Sequence, residues 1–78
     1  MLGNELRKAR ETANLTQEQL AFGSELDRTY ISHLENDKKS PTVDVLLRIC
    51  AVLRVPASVI LARVERAAKQ PRPAQKRR

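Results

Sequence analysis

Residues 15–36 read LTQEQLAFGSELDRTYISHLEN and contain the start signals of two short helices separated by a brief turn. Thr16 is an N-cap residue, and Gln19 stands three positions later, where it completes a capping box. The leucines before and after this cap occupy the positions of a hydrophobic staple. Together these signals predict a helix from about Gln17 to Ser24.

A second helix is predicted from Arg28 to about Asn36. Asp27 stands at its cap position, and Leu26 and Ile31 are spaced as a second hydrophobic staple. Two short helices that cross steeply and are joined by a turn of about three to four residues form a helix-turn-helix. The sequence therefore predicts this motif for residues 17–36.

The second of these helices has two chemically different faces. Its apolar residues recur at helical spacing, so one side packs on the first helix, where Ala21 is small enough to permit a close crossing. Base readout in the major groove of DNA requires an exposed, hydrogen-bonding helix face. The opposite side provides such a face, formed by Arg28, Thr29, Ser32, His33 and Asn36.

Three further helices are predicted around this pair. The first covers about Gly3–Thr12, with one face formed by Leu2, Leu6, Ala9 and Ala13. Another begins after the cap residue Thr42, and its apolar stripe consists of Val43, Leu46, Leu47, Cys50 and Ala51. The last has Pro56 in its first turn and carries Val59, Ile60 and Val64. The expected fold class is all-α, with five helices in one compact domain over residues 1–68.

Charge and composition limit the classes of function. The net charge is +6, but five of the fifteen basic residues lie within 69–78, which leaves ten basic and nine acidic residues in the domain. This basic tail contains two prolines and few large apolar groups, and it is predicted to be disordered. Cys50 is the only cysteine and His33 the only histidine, which excludes an internal disulfide and disfavours a zinc site.

Other classes are disfavoured by what the sequence lacks. No apolar run reaches the roughly 18 residues that span a membrane, and there is no signal peptide, so a cytoplasmic location without a membrane partner is expected. No nucleophile, metal or phosphate-cradling motif is present, so we expect no enzyme, cofactor, metal or small-molecule substrate. The partner favoured by the polar helix face is double-stranded DNA.

The two helices resemble the helix-turn-helix of the phage-repressor family, also called the Cro/cI or XRE family. The resemblance extends over about residues 2–66, and its matching elements are LTQEQLA at 15–21, YISHLEN at 30–36 and SPT at 40–42. It implies a domain like that of the lambda repressor. The run LDRTYIS at 26–32 is most similar to the controller proteins of restriction–modification systems, which are small dimers that bind palindromic operators.

The resemblance implies a role for each residue of the polar surface. Gln17 matches a residue whose amide contacts a DNA phosphate, and Arg28 and Thr29 match residues that contact base edges. Ser32 and His33 match positions that reach bases or the DNA backbone. Phosphate contacts or proximity are further implied for Asn36, Lys38 and Lys39.

Internal features also follow from the resemblance. Arg10 and Glu35 match a pair that forms a salt bridge between the first and third helices. Tyr30 can pack its ring over the first helix, reach a phosphate with its hydroxyl, or do both. Glu25 and Asp37 depart from the family pattern, which has glycine in the turn and after the third helix. A left-handed backbone at Glu25 would cost about 1 kcal/mol.

A symmetric homodimer is expected, because one helix-turn-helix reads too few base pairs to be selective in a genome. The apolar residues of the fourth and fifth helices exceed what one small core needs, so they supply an interface. The alternative is that the fifth helix only caps the core of a single chain. The predicted interface residues are Val55, Pro56, Val59, Ile60 and Arg63.

The function expected from these observations is sequence-specific regulation of transcription by a dimer on a palindromic operator, with control of a restriction–modification operon as a further expectation. One alternative is an antitoxin-like module that binds a protein partner through the same helices, which the polar face of the third helix disfavours. Another is an RNA or anionic-membrane binder driven by the basic tail. Deleting the tail would abolish binding by such a tail-driven binder, whereas it would only weaken the binding of a sequence-specific regulator to its operator.

Overall fold

The structure is a computed structural model that describes residues 1–68, and the predicted disordered tail lies outside these described residues. Residues 1–68 form no strand, which confirms the predicted all-α class. They form five helices: α1 Leu2–Thr12, α2 Gln17–Ser24, α3 Arg28–Glu35, α4 Val43–Leu53 and α5 Ala57–Ala68.

The start of α2 has the predicted capping box. The hydroxyl of Thr16 accepts a hydrogen bond from the backbone N–H of Gln19 at 3.0 Å, and the Gln19 side-chain oxygen accepts one from the N–H of Thr16 at 2.9 Å. Thr42 caps α4, where its hydroxyl accepts a hydrogen bond from the N–H of Val45 at 3.2 Å. Asp27 precedes α3, but its side chain makes no capping hydrogen bond to that helix.

The core is formed by all five helices. α3 packs against α1 and α2, α2 also packs against α4, and α5 closes the domain against α1 and α4. Ala21 is buried at the α2 crossing, as its small size predicts. The buried apolar side chains are Leu6, Ala9, Leu20, Ala21, Ile31, Leu34, Leu46, Ile49, Cys50, Leu53 and Ile60.

The buried face of α4 differs from the predicted one. Val43 is 71% exposed and Leu47 is 52% exposed, and Ala51 is exposed as well, so most of the predicted stripe faces outward. The buried face consists of Leu46, Ile49, Cys50 and Leu53. Both sets satisfy the same helical spacing, so periodicity alone could not choose between them. The packing of α4 against α2 and α5 selects the second set.

The fifth helix contributes a buried residue to the core of the single chain, where the sequence analysis had predicted an interface residue. Ile60 is fully buried, at 0% exposure, so its predicted place in a dimer interface is wrong. The cause is a bend of 108° between α4 and α5, which lets α5 pack against α1. Ala13, predicted on the buried face of α1, is exposed.

Among residues 1–68 no single helix is long and apolar enough to cross a membrane, and α4 and α5 reach that length and composition only as this bent pair.

The beginning of α1 lies directly on the end of α3. Gly3 is buried there, and a Cβ atom at this position would overlap the carbonyl oxygens of Leu34 and Glu35. The backbone of Gly3 needs no positive φ, so the requirement is one of space. A glycine therefore permits the close approach of α1 to the helix that carries the polar face.

Each of the first four helices is followed by a non-glycine residue with a left-handed backbone. These residues are Asn14, Glu25, Asp37 and Arg54, with φ between 58° and 60°. A left-handed conformation costs an L-residue about 1–2 kcal/mol, and asparagine and aspartate tolerate it best. Contacts elsewhere in the domain must therefore stabilise these turns.

Candidate nucleic-acid interface

The turn between α2 and α3 is fixed by hydrogen bonds from two directions. Glu25 adopts φ 60° and ψ 44°, and the N–H of Leu26 donates to the carbonyl of Ala21 at 2.8 Å. The guanidinium of Arg48 donates from α4 to the carbonyl oxygens of Ser24 at 2.9 Å and Glu25 at 3.3 Å. Arg48 thus caps the end of α2, and sequence reasoning missed it because no local signal links it to a turn 23 residues away.

α3 has one buried and one accessible side, as the sequence predicts. Its buried residues are Ile31, Leu34 and Glu35. Arg28 and Thr29 are exposed at its first turn. The rest of the accessible side consists of the half-buried residues Ser32 and His33 and the exposed residue Asn36. The structure therefore brings all five predicted polar residues to the accessible side of one helix.

Asn36 ends this side of α3 through a local contact. Its side-chain amide donates a hydrogen bond to the carbonyl oxygen of Ser32 at 2.9 Å. Lys38 and Lys39 follow in the loop, and both are exposed. The accessible side of α3 therefore has exposed basic groups beyond its C-terminal end.

The predicted ion pair between Arg10 and Glu35 is present. The Nε atom of Arg10 lies 2.6 Å from Glu35 Oε2, and its Nη2 atom lies 3.1 Å from Glu35 Oε1. The Arg10 Nη1 atom donates to the carbonyl oxygen of Leu15 at 2.8 Å. The side chain of Glu35 is only 3% exposed. This hydrogen-bonded carboxylate raises the pKa of Arg10, against the opposing effect of burial.

Gln17 joins this ion pair to Arg28. Its amide nitrogen donates to Glu35 Oε1 at 3.0 Å, and its amide oxygen lies 3.5 Å from Arg28 Nη1. The structure thus brings together Arg10, Gln17, Arg28 and Glu35, which come from three different helices. One N–H of the Gln17 amide remains outside these contacts, because an amide NH₂ group has two.

Tyr30 is half-buried and packs against the core cluster. Together with Thr29, His33 and Lys39 it also lines an open depression beside α3. Its ring therefore packs against the core, and its position over α1 stays a prediction. Whether its hydroxyl contacts a phosphate stays a prediction.

Asp37 directs its carboxylate towards the start of α1. One carboxylate oxygen accepts a hydrogen bond from the backbone N–H of Gly3 at 2.9 Å, and the other lies 2.8 Å from the N-terminal ammonium of Met1. The hydrogen bond from this ammonium group, followed by that from Gly3, lowers the pKa of Asp37. The acid after α3 is thus engaged within the chain, a contact that the sequence did not predict.

The remaining candidates for a dimer interface lie in the turn between α4 and α5 and on α5. Val55 is half-buried, whereas Pro56, Val59 and Arg63 are exposed. Sequence reasoning assigned Leu47 and Ala51 to the core, yet these exposed residues border the same depression as Val55 and Pro56. They face outward because α4 buries the stripe of Leu46, Ile49, Cys50 and Leu53 instead.

The fold and the two-faced helix define a helix-turn-helix domain, and comparison with known proteins agrees. The helix-turn-helix family HTH_3, which is of the XRE type, matches residues 6–60. The chain belongs to this family.

Three similar proteins illustrate the range of the family. The chain is 39% identical over 61 residues to Rv0474, an uncharacterised HTH-type transcriptional regulator of Mycobacterium tuberculosis. The matched segment is 78% of this chain but only 44% of Rv0474, so the chain spans less than half the length of that relative. It is 38% identical over 65 residues to the control protein C.MunI of a Mycoplasma species, covering 82% of the chain and 88% of C.MunI. The crystal structure of the restriction–modification controller protein C.AhdI from Aeromonas hydrophila superimposes with a TM-score of 0.74 at 30% identity, covering 76% and 89% of the two chains.

Proposed function

We propose that the chain is a sequence-specific regulator of transcription that binds double-stranded DNA as a homodimer on a palindromic operator. The observation that carries this proposal is the division of α3. Its buried side is fixed to α1 and α2 by Ile31, Leu34 and Glu35, while its first turn presents Arg28 and Thr29 to solvent. A rigidly held helix with hydrogen-bonding groups at its exposed N-terminal end is suited to reading base edges in the major groove.

The proposed contacts divide into base and phosphate contacts. Arg28 and Thr29 contact base edges, and Ser32 and His33 reach bases or the DNA backbone. The flanking polar and basic residues contact phosphates, and these are Gln17, Tyr30, Asn36, Lys38 and Lys39. Phosphate contacts fix the position and register of the protein, whereas base contacts provide specificity.

The dimer interface is proposed on the exposed apolar face of α4 and the corner that follows it. We call this surface the α4 face, and it consists of Val43, Leu47, Ala51, Val55 and Pro56. Residues 43, 47 and 51 recur every four positions on one side of the helix, so their apolar side chains form a continuous strip. Val59 and Arg63, which are exposed on α5, remain proposed interface residues beside this surface. An isologous contact would bury the strip around a two-fold axis. To read two half-sites one helical turn apart, the two α3 helices of the dimer must lie about 34–36 Å from each other.

Control of a restriction–modification operon is the finer proposal. It is supported by two of the similar proteins. C.MunI is named a control protein, C.AhdI is named a restriction–modification controller protein, and the chain matches 88% and 89% of their respective lengths. A methyltransferase gene and an endonuclease gene beside this one would support it, and their absence would contradict it. A cytoplasmic location is part of the same proposal, since a regulator must share a compartment with its operator.

Selection of bound duplexes from a random DNA pool tests the proposal directly. The enriched site should be a palindrome with half-sites one helical turn apart. In titrations over single-base variants, Arg28→Ala should cost about 1–3 kcal/mol and lose preference at one base pair of each half-site. Lys38→Ala removes the same charge as a matched control, and it should weaken all duplexes alike. No enrichment by the wild-type protein would overturn the proposal.

A further inference from the structure

The side chain of Gln17 lies between a buried carboxylate and an exposed guanidinium. On its inner side, the amide nitrogen is 3.0 Å from Glu35 Oε1. On its outer side, the amide oxygen is 3.5 Å from Arg28 Nη1. The two residues that it joins are on opposite sides of α3: Glu35 is buried and Arg28 is exposed. Gln17 therefore connects the packing side of the helix to the side proposed to read DNA.

The chemistry of Glu35 determines which way the Gln17 amide points. An ionised carboxylate only accepts hydrogen bonds, so the amide must turn its nitrogen inward and its oxygen outward. Arg10 holds this carboxylate in place through contacts of 2.6 and 3.1 Å. The outward oxygen is then an acceptor, and Arg28, which only donates, is the group beside it. Reversing the amide would place two donors against each other.

We infer that Glu35 is a positioning residue for base readout, which acts by fixing the amide of Gln17 and, through it, the guanidinium of Arg28. This inference rests on the proposed function. The Gln17 oxygen engages one N–H group of the guanidinium at 3.5 Å, and a contact there would restrict its rotation. A guanidinium pre-oriented in this way loses less conformational freedom when it forms a bidentate contact with a base. The sequence assigned Gln17 a phosphate contact, and the structure adds this role in specificity.

A purely structural role for Glu35 predicts a different result. The ion pair with Arg10 is sufficient to join α1 to α3, and losing it would lower the stability of the fold without changing the preference among bases. The readout that separates the two roles is the ratio of affinities for the selected duplex and for its variant at the base pair read by Arg28. This ratio is measured below the melting temperature of every variant, which circular dichroism establishes.

Gln17→Ala and Glu35→Gln are the test variants, and Glu18→Gln is the matched control on the same turn of α2. A glutamine at position 35 can donate as well as accept, so it no longer fixes the Gln17 amide. Each test variant should lower the ratio about three- to tenfold, which is part of the roughly 5- to 150-fold that a bidentate base contact provides. Glu18→Gln should leave the ratio unchanged. The Gln17→Ala/Glu35→Gln double variant should show no further loss, because both changes interrupt the same connection.

Three outcomes would overturn the inference: an unchanged ratio in Gln17→Ala, an unchanged ratio in Glu35→Gln, or losses that add in the double variant. Gln17→Ala retains the Arg10–Glu35 pair, so it gives an answer even if Glu35→Gln does not fold.

A measurement on the free protein separates this inference from the proposed function. In the wild type, the side-chain ¹⁵N amide signals of Gln17 should show slow hydrogen exchange, and the Arg28 Nε–H signal should report a restricted side chain. Both properties should be lost in Glu35→Gln, and the second in Gln17→Ala, but neither in Glu18→Gln. If the wild type enriches no duplex, the proposed function fails while these signals still test the contact. A mobile Arg28 in the wild type would overturn the inference whatever the DNA result.

Discussion

Gly3 determines how closely α1 approaches the end of α3. A methyl group at this position would overlap the carbonyl oxygens of Leu34 and Glu35, which are backbone atoms and cannot move aside without displacing a helix. We expect Gly3→Ala to destabilise the domain by about 1–3 kcal/mol, the usual cost of overpacking. Thermal melts measure the change.

Gly23→Ala is the matched control for this prediction. Its new methyl group would meet the side chain of Val52 at 3.1 and 3.3 Å, a tight contact that a shift of a few tenths of an ångström relieves. Alanine also favours a helix over glycine by about 1 kcal/mol, so the control should be nearly neutral. Equal losses in the two variants would show that α1 does not need the glycine for space.

Asp37 gives the domain a predictable dependence on acid. Its pKa in the folded chain is lowered, chiefly by the hydrogen bond from the Met1 ammonium and then by that from Gly3, relative to about 3.9 in an unfolded chain. Its contribution to stability is therefore present above about pH 4 and lost as the pH falls through the lowered pKa.

Asp37→Asn keeps a residue that tolerates the left-handed backbone, and it removes the charge together with one of the two acceptor oxygens. We expect its melting temperature to lie below that of the wild type at neutral pH and to converge with it in strong acid. Melts followed across the acid range test this, with Glu65→Gln, a change at an exposed acid of α5, as the control. A difference that is the same at neutral and acid pH would contradict the prediction.

The parts of this site that depend on local sequence signals could be predicted. The parts that depend on contacts between residues distant in sequence could not be predicted from such signals. The capping box at Thr16 and the two faces of α3 depend on residues within one or two helical turns, and both are as predicted. The contact between Gly3 and Asp37 joins residues 34 positions apart, so no local pattern indicates it. The pair of Arg10 and Glu35, 25 positions apart, was expected only because a family resemblance supplied it.

At the scale of elements, the end of α2 combines a strained residue with an external cap. Glu25 has a left-handed backbone, and Arg48 holds its carbonyl oxygen and that of Ser24. Glu25→Gly removes the side chain without changing these backbone acceptors, so it should stabilise the domain by about 1 kcal/mol. Chemical denaturation measures the gain.

Arg54→Gly is the matched comparison, because Arg54 has the same φ of 60° after α4. A similar gain there would show that the gain comes from the backbone conformation. A loss of stability in Glu25→Gly would mean instead that the side chain of Glu25 contributes to the turn.

The rotation of α4 marks a limit of sequence-based prediction at this scale. The helix has apolar residues almost all round, so two different stripes fit a period of 3.6 residues. Which stripe is buried depends on where α2 and α5 contact it, and this is a property of the assembled domain. The assignment of Ile60 to a dimer interface was incorrect for a related reason, because the packing of α5 against α1 also depends on the assembled domain.

For the whole molecule, the exposed α4 face predicts self-association. Leu47 is 52% exposed near the middle of this face, so Leu47→Asp places a charge in the proposed interface without disturbing the core. We expect the wild type to sediment as a dimer at micromolar concentration and the variant as a monomer.

Phe22→Asp is the control, because Phe22 is 88% exposed and lies on α2, outside the proposed interface. It should leave the dimer intact. A monomeric wild-type protein, or a Leu47→Asp variant that still dimerises, would count against the α4 face as the interface.

Because the packing side and the reading side of α3 are separate, the reading side is a candidate for engineering new DNA-sequence specificities without changing the packing side. Randomising positions 28, 29, 32 and 33 leaves Ile31, Leu34 and Glu35 untouched, so a large share of such a library should still fold. Position 28 is the exception to independent exchange, because its side chain contacts Gln17. A library that varies positions 17 and 28 together should therefore yield more new specificities than one that varies position 28 with Gln17 held constant.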